Sequence, residues 1–330
     1  MAYSAGDTIL DDEYNNFAND ATNNINGLWG AGNGTKGYGQ TNTISAVSAG
    51  GTINAAQWNT LQDRLASIAG HQGTSINNAA GDLSAGDAVA ILADFGADIT
   101  TVTNARYTVA ADNVTASANP NSANRTFTGS WRTSTVHEWK ITFGSSDKAR
   151  FFFNAGGSIT HVWNLSGNTA SDKSAEWVDL FNTKAATFTL AGASDSLGGS
   201  GSPDTNINEG FWNTNLTNGG SYVVLQKQFA DSSPYTTNFC QWEVKISGTA
   251  GSAGGKGEVI TIKATASDAA ADSDDEGQAP QDAADAAVTA LDTVDGNLTS
   301  SWVVKKPNTT VLNNDAIGSF TAAEVSQSQS

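Results

Sequence analysis

In Val136-His137-Glu138-Trp139-Lys140-Ile141-Thr142-Phe143, the residues His137, Trp139, Ile141 and Phe143 occupy every second position, with Val136, Glu138, Lys140 and Thr142 between them. Successive side chains of a strand point to opposite faces, so this pattern predicts a strand with one aromatic face. Downstream, Gly144-Ser145-Ser146-Asp147 reads as a turn, and residues 149–154, Ala-Arg-Phe-Phe-Phe-Asn, as the returning strand. Phe151, Phe152 and Phe153 cannot all face one side, which predicts a strand covered on both faces. Ala155-Gly156-Gly157 then turns the chain into a third strand, Ser158–Leu165. The expectation is a three-stranded meander.

The same two-residue period returns at 186–191, 221–229, 237–247 and 257–266, and more weakly near 207–213 and 299–305. Cys240, Trp242, Val244 and Ile246 repeat the inward alternation seen around Trp139. Gly/Ser-rich stretches at Ala191–Asp204 and Gly248–Gly257 read as surface loops. Residues 172–184 read as a helix with Trp177, Leu180 and Phe181 on one side. Regular strand–helix alternation is missing, so an open α/β sheet does not fit. The fold class expected is α+β: a small helical region followed by a mainly antiparallel, β-sandwich-like body.

Upstream the period is helical. Tyr14, Phe17, Ala18, Ala21, Ile25 and Leu28 share one face of a helix over 11–28, and Trp58, Leu61, Leu65 and Ile68 one face of a helix over 54–69. Aligning Ile9 with Ile53 sets Tyr14 against Trp58, Phe17 against Leu61 and Ala21 against Leu65, which suggests a duplicated element. Tyr14, Phe17, Trp58, Leu61 and Leu65 are therefore the candidate docking and packing residues. Leu92, Phe95, Ile99 and Val102 mark a third helix at 86–105, suited either to packing on the first two or to a short inter-chain bundle. The period change places a helical docking and oligomerisation region at 1–115 and the β-rich body at 116–330.

The net charge is −17, from 16 Lys and Arg against 33 Asp and Glu. So acidic a chain repels phosphate backbones, and nucleic acid is not an expected partner. The apolar runs are too short for a membrane span, and the first residues lack the basic and apolar segments of a signal peptide. The single cysteine, Cys240, lies in a strand-like run and reads as a small buried apolar residue.

Motifs for catalysis are missing. His71, His137 and His161 are the only histidines, and no Cys or paired carboxylate stands at metal-ligand spacing beside them. Gly32, Gly34 and Gly37 form a formal G-x-G-x-x-G, but a helix precedes it and a polar stretch follows, so it reads as a flexible connector. Glu138, Asp179, Glu209 and Glu243 are carboxylates that a glycoside hydrolase could use, with nothing to select among them. The acidic stretch 267–287 lacks the order of a calcium loop and reads as solvated. No catalytic, metal or cofactor residues are expected. Trp212 and Tyr235, near turns, are the candidate glycan-stacking aromatics. The polar tail 318–330 could lie on a neighbour.

Two stretches carry a resemblance. Tyr3-Ser4-Ala5-Gly6-Asp7-Thr8-Ile9 with Tyr14-Asn15-Asn16-Phe17, Gly50–Ile53, Gln57-Trp58 and His71-Gln72-Gly73 resembles virion structural proteins of tailed bacteriophages, especially marine and cyanobacterial ones. Glu138–Phe143 with Arg150–Gly157 looks like a recurrent hairpin of such proteins. The resemblance implies assembly rather than catalysis: a self-associating fibre or tail/neck appendage subunit in the virion, with a trimer as one option. Its implied partners are copies of itself and other virion proteins. The alternatives are a capsid decoration protein and an adhesin that binds a host surface glycan.

Overall fold

A computed structural model describes residues 11–19, 24–77, 84, 92–116, 124–167, 172–181, 185–189, 192–195, 205–206, 218–231, 235–269 and 294–330. Among these the chain is α+β with a sheet-rich body. The helices are α1 (Asp11–Asn19), α2 (Ile25–Trp29), α3 (Ala55–Gln72), α4 (Leu92–Asn104), α5 (Ser146–Asn154) and α6 (Asp172–Phe181). The strands are β1 (Val114–Ala116), β2 (Arg125–Phe127), β3 (Ser134–Phe143), β4 (Ser158–Ser166), β5 (Ala185–Thr189), β6 (Gly192–Asp195), β7 (Thr205–Asn206), β8 (Val223–Phe229), β9 (Phe239–Ser247), β10 (Val259–Ser267), β11 (Asn297–Pro307) and β12 (Phe320–Gln329).

Two antiparallel sheets pack face to face. The first runs β1-β11-β4-β5-β6, with β2 also on β11, and the second runs β12-β3-β10-β9-β8-β7. Trp139 of β3 stacks on Trp302 of β11 across the gap, with ring centroids 5.1 Å apart and planes 9° from parallel. Inward residues of both sheets form one apolar core, including Trp139, Trp163, Trp242 and Trp302. Cys240 lies in it, fully buried. Trp177, Leu180 and Phe181 of α6 cover this core, as their spacing predicts.

The expected meander is corrected. Residues 149–154 belong to helix α5, and β3 and β4 lie in opposite sheets. Ser145 is the N-cap, its hydroxyl accepting the Lys148 N–H at 3.2 Å, so the stretch that reads as a turn starts a helix. Gly156, at φ 89°, supplies the left-handed residue that ends it, and Gly157 N–H reaches back to the Phe152 carbonyl at 2.7 Å. The three phenylalanines are all useful on a helix packed on two sides. Phe152 and Phe153 enter the sandwich core, while Phe151 approaches Gly39 so closely that a Cβ there would lie 2.5 Å from its ring.

The helix expected over 11–28 is interrupted. Asn24 is extended at φ −141° and its side chain caps α2 through Gly27 N–H, which starts a separate helix at Ile25. Helix α3 spans the expected segment, fixed at its start by a capping box between Asn54 and Gln57 and at its end by left-handed Gly73. Residues Ile9 and Ala21, which anchor the proposed duplication, lie outside the described residues. The helices build a second apolar cluster in which Phe17, Trp58 and Phe95 meet edge to face or tilted, at 5.1–6.4 Å. Tyr14, Trp58, Leu61 and Leu65 are buried in it, and Phe17 is packed against it. They pack the chain's own interior and do not form an open docking surface. Phe95, Ile99 and Val102 of α4 are buried in the same cluster, so the packing reading of that helix holds over the bundle reading.

Three further expectations change. The tail 318–330, read only as polar chain able to lie on a neighbour, forms strand β12, which pairs with β3 with a bulge between Glu324 and Ser326. Strand β6 falls inside a stretch expected as loop. The glycine-rich segment is not a flexible connector but is clamped to α5. Buried Arg150 donates to the Lys36 and Ala31 carbonyls at 2.7 Å each, and Asn154 donates to the Gly34 and Lys36 carbonyls at 3.1 and 2.8 Å. The helical cluster and the body are further tied where Gln40 exchanges two hydrogen bonds with the Asn314 backbone and His71 bonds the Ala155 carbonyl.

Candidate functional site

Three inward positions of the sandwich carry polar side chains two residues before a tryptophan: His137 before Trp139, His161 before Trp163, and Ser300 before Trp302. The strand period puts each polar residue on the same face as its tryptophan, so all three enter the core. His137, His161 and Ser300 are 0% exposed. Sheet pairing sets Trp302 opposite His161 and Ser300 opposite Trp163, while His137 comes from the facing sheet.

These side chains form one continuous hydrogen-bonded chain. His161 Nε2 lies 2.7 Å from Ser300 Oγ, and Ser300 Oγ lies 2.6 Å from His137 Nδ1. Trp242 Nε1–H donates to His161 Nδ1 at 3.0 Å, and Trp302 Nε1–H points at His137 Nδ1 at 3.3 Å. An indole N–H can only donate, so its partner nitrogens carry no proton. The neutral tautomers follow. His161 holds its proton on Nε2 and donates to Ser300; Ser300 donates to His137 Nδ1; and His137 holds its proton on Nε2. That nitrogen faces Glu324 Oε2 of β12 at 3.7 Å, too long for a hydrogen bond. Glu324 is held in turn by Arg125 of β2, whose Nη2 donates at 2.8 Å.

Burial disfavours a charged imidazole and lowers the His137 pKa to about 4, with nearby Glu324 opposing the shift and Arg125 adding to it. His161 is pushed well below the ordinary histidine value by burial and then by His137. The arrangement contains serine, histidine and carboxylate in sequence, but Ser300 Oγ is sealed between the sheets and offers no approach to a substrate carbonyl. His71 is equally buried, donating Nε2–H to the Ala155 carbonyl at 2.9 Å.

On the outer face of the second sheet, Lys263 is in register between Glu138 and Glu243 and lies 2.5 Å from Glu243. Tyr222 donates to Glu138, and Lys245 and Lys263 stand over its ring at 4.4 and 4.5 Å. Burial pushes the Glu138 carboxyl up, but bonds from Tyr222 and Ser326 and the charge of Lys245 outweigh it, leaving its pKa lowered. A glycosidase general acid needs the opposite shift. Asp179 is exposed on α6, and Glu209 lies outside the described residues.

Of the candidate glycan aromatics, Tyr235 is corrected. It is 6% exposed, with its ring in the sandwich core, so it presents no face for a sugar. Trp212 lies outside the described residues. Within the acidic stretch, Asp268 is not solvated: it is buried and pairs with buried Lys173 at 2.7 Å. Among the described residues no cluster of His, Cys, Asp and Glu could hold a metal ion, and no helix is long and apolar enough to cross a membrane.

The tautomer chain escapes local sequence reading because its members come from four strands, brought together only by the two-sheet topology. A signal existed: of the residues two positions before a tryptophan, only His137, His161 and Ser300 carry a hydrogen-bonding His or Ser side chain. No protein-family model, curated protein or solved structure matches the chain.

Proposed function

We propose that the chain is a non-enzymatic structural subunit of a tailed-phage virion, as a self-associating fibre or tail/neck appendage. The observation that carries this reading is the use of its chemistry-bearing side chains. The three histidines, Ser300 and Cys240 are all enclosed and serve internal bonding or packing. The sequence resemblance of the N-terminal and 138–157 segments supplies the virion setting. The fold adds support: polar clamps from Arg150 and Gln40 join the helical cluster to the sandwich, which suits a subunit that transmits load.

The test is labelling. Antibodies raised against the purified chain, carrying gold, should decorate intact particles at the tail or neck in electron micrographs. Particles that carry no label, while disrupted ones also lack the chain by mass spectrometry, would overturn the proposal. Label spread over the head would replace the appendage with a decoration protein.

A further inference from the structure

The histidine chain has two alternative partners for one ring, and they lie in different sheets. In its neutral form His137 accepts from Ser300 across the sandwich at 2.6 Å. On the other side of the same ring, Nε2 faces the Glu324 carboxylate on the neighbouring strand of its own sheet, 3.7 Å away. A second proton on His137 must sit on Nδ1. There it meets two donors already in place, the Ser300 hydroxyl and the Trp302 indole N–H. Ser300 cannot relieve this by turning its hydrogen to His161, because His161 Nε2 carries a proton fixed by the Trp242 indole on Nδ1. The chain runs one way, and once Nδ1 is protonated neither ring offers an acceptor for the Ser300 hydrogen.

We propose that this chain is a proton-operated clasp: neutral His137 ties the two sheets together through Ser300, and protonated His137 lets go of Ser300 and pairs with Glu324 within its own sheet. Among the described residues, the groups that face the ring come from five strands. From β12 comes Glu324; from β2, Arg125; from β11, Ser300 and Trp302; from β4, His161 behind Ser300. Strand β10 places uncharged Ala264 opposite His137. Glu324 is 22% exposed and stands between solvent and the buried ring, which gives the proton its entry.

The switch loosens a second tie as well. Arg125 of the first sheet holds Glu324 of the second through both carboxylate oxygens. An imidazolium arriving at Oε2 competes with Arg125 for that oxygen. Both cross-sheet links at this edge weaken with one proton, while β12 stays bound to β3 by its backbone ladder. The expected product is a sandwich opened locally between β3 and β11, with each sheet intact.

The test uses the full chain. Side-chain nitrogen NMR at neutral pH should find His137 and His161 both protonated on Nε2 and bare on Nδ1. Amide exchange of Ser300–Val304, corrected for intrinsic rate, should then accelerate by up to about tenfold per pH unit as His137 takes up its proton. Glu324→Gln removes the alternative partner and should move that acceleration to lower pH. His137→Gln keeps a polar side chain but cannot titrate, and should abolish it. A proton on Nδ1 of either ring at neutral pH overturns the proposal. So does protection of Ser300–Val304 that persists until the whole chain unfolds, or a Glu324→Gln profile identical to wild type. If His137→Gln does not fold, the tautomer measurement and the Glu324→Gln profile decide the matter alone.

Discussion

Two buried polar devices hold this chain together, and they differ in what can disable them. At the junction of helices and sheets, Arg150 gives its guanidinium to two backbone carbonyls. Burial lowers its pKa and Asp147 opposes that, yet a guanidinium stays charged at any ordinary pH. Between the sheets, His137, Ser300 and His161 work only as long as both rings stay neutral. One device is fixed by covalent chemistry and the other depends on the proton supply. Two networks, each built on a fully buried side chain, therefore respond differently to acid.

The sharpest way to break the comparison is Arg150→Ala. It removes two charge-assisted hydrogen bonds, leaving the Lys36 carbonyl with Asn154 alone and the Ala31 carbonyl without its guanidinium donor, and should cost about 3–5 kcal/mol. Urea denaturation should show nearly the same loss at pH 7 and at mildly acidic pH, since neither guanidinium nor carbonyl titrates there.

Acid alone should act next. The His137 pKa is lowered in the folded chain, from 6.5 to about 4, so the unfolded chain binds the proton first as pH falls. Stability from this group is complete above the unfolded value and is lost as pH drops from about 6.5 towards 4, by on the order of 3 kcal/mol. Asp and Glu residues also titrate near the lower end, so the quantity to read is the difference between wild type and His137→Gln in matched denaturation curves.

Ser300→Ala removes the central link but leaves both rings. It orphans the His161 Nε2–H and should cost about 1–3 kcal/mol at pH 7. Unlike Arg150→Ala, its effect should shrink on acidification, because the bond it deletes is one that acid also breaks. A constant penalty across pH would show that Ser300 is only a packing residue.

Lys263→Ala, on the outer face, sets the lower bound. It removes a partly exposed ion pair with Glu243 and should change stability by about 1 kcal/mol or less, falling further in high salt.

Much of the sandwich was legible because its inner strands bury one face each. The alternations at His137–Phe143 and Cys240–Ile246 map onto β3 and β9 almost residue for residue. Strand β12 was not, because it is an edge strand. Its outer side meets water, so Ser326, Gln327 and Ser328 leave no apolar period to read. The Phe151–Phe153 run misled for a physical reason: a strand covered on both faces and a helix wedged between two layers produce the same string. The cap at Ser145 and the glycine at 156 separated the two readings, and both had also fitted turns. The site was less legible still. His137 could be seen to share the aromatic face of its strand, but Ser300 and Glu324 gain meaning only when β11 and β12 are assigned to opposite sheets.

The stacked indoles of Trp139 and Trp302 have a practical consequence. One belongs to each sheet, and at 5.1 Å their electronic transitions couple. The size of that coupling depends steeply on separation and relative orientation. Circular dichroism of the unmodified protein therefore carries an optical ruler across the sandwich, two residues along from the histidine chain on each strand. It would register a change in the gap between the sheets without any label.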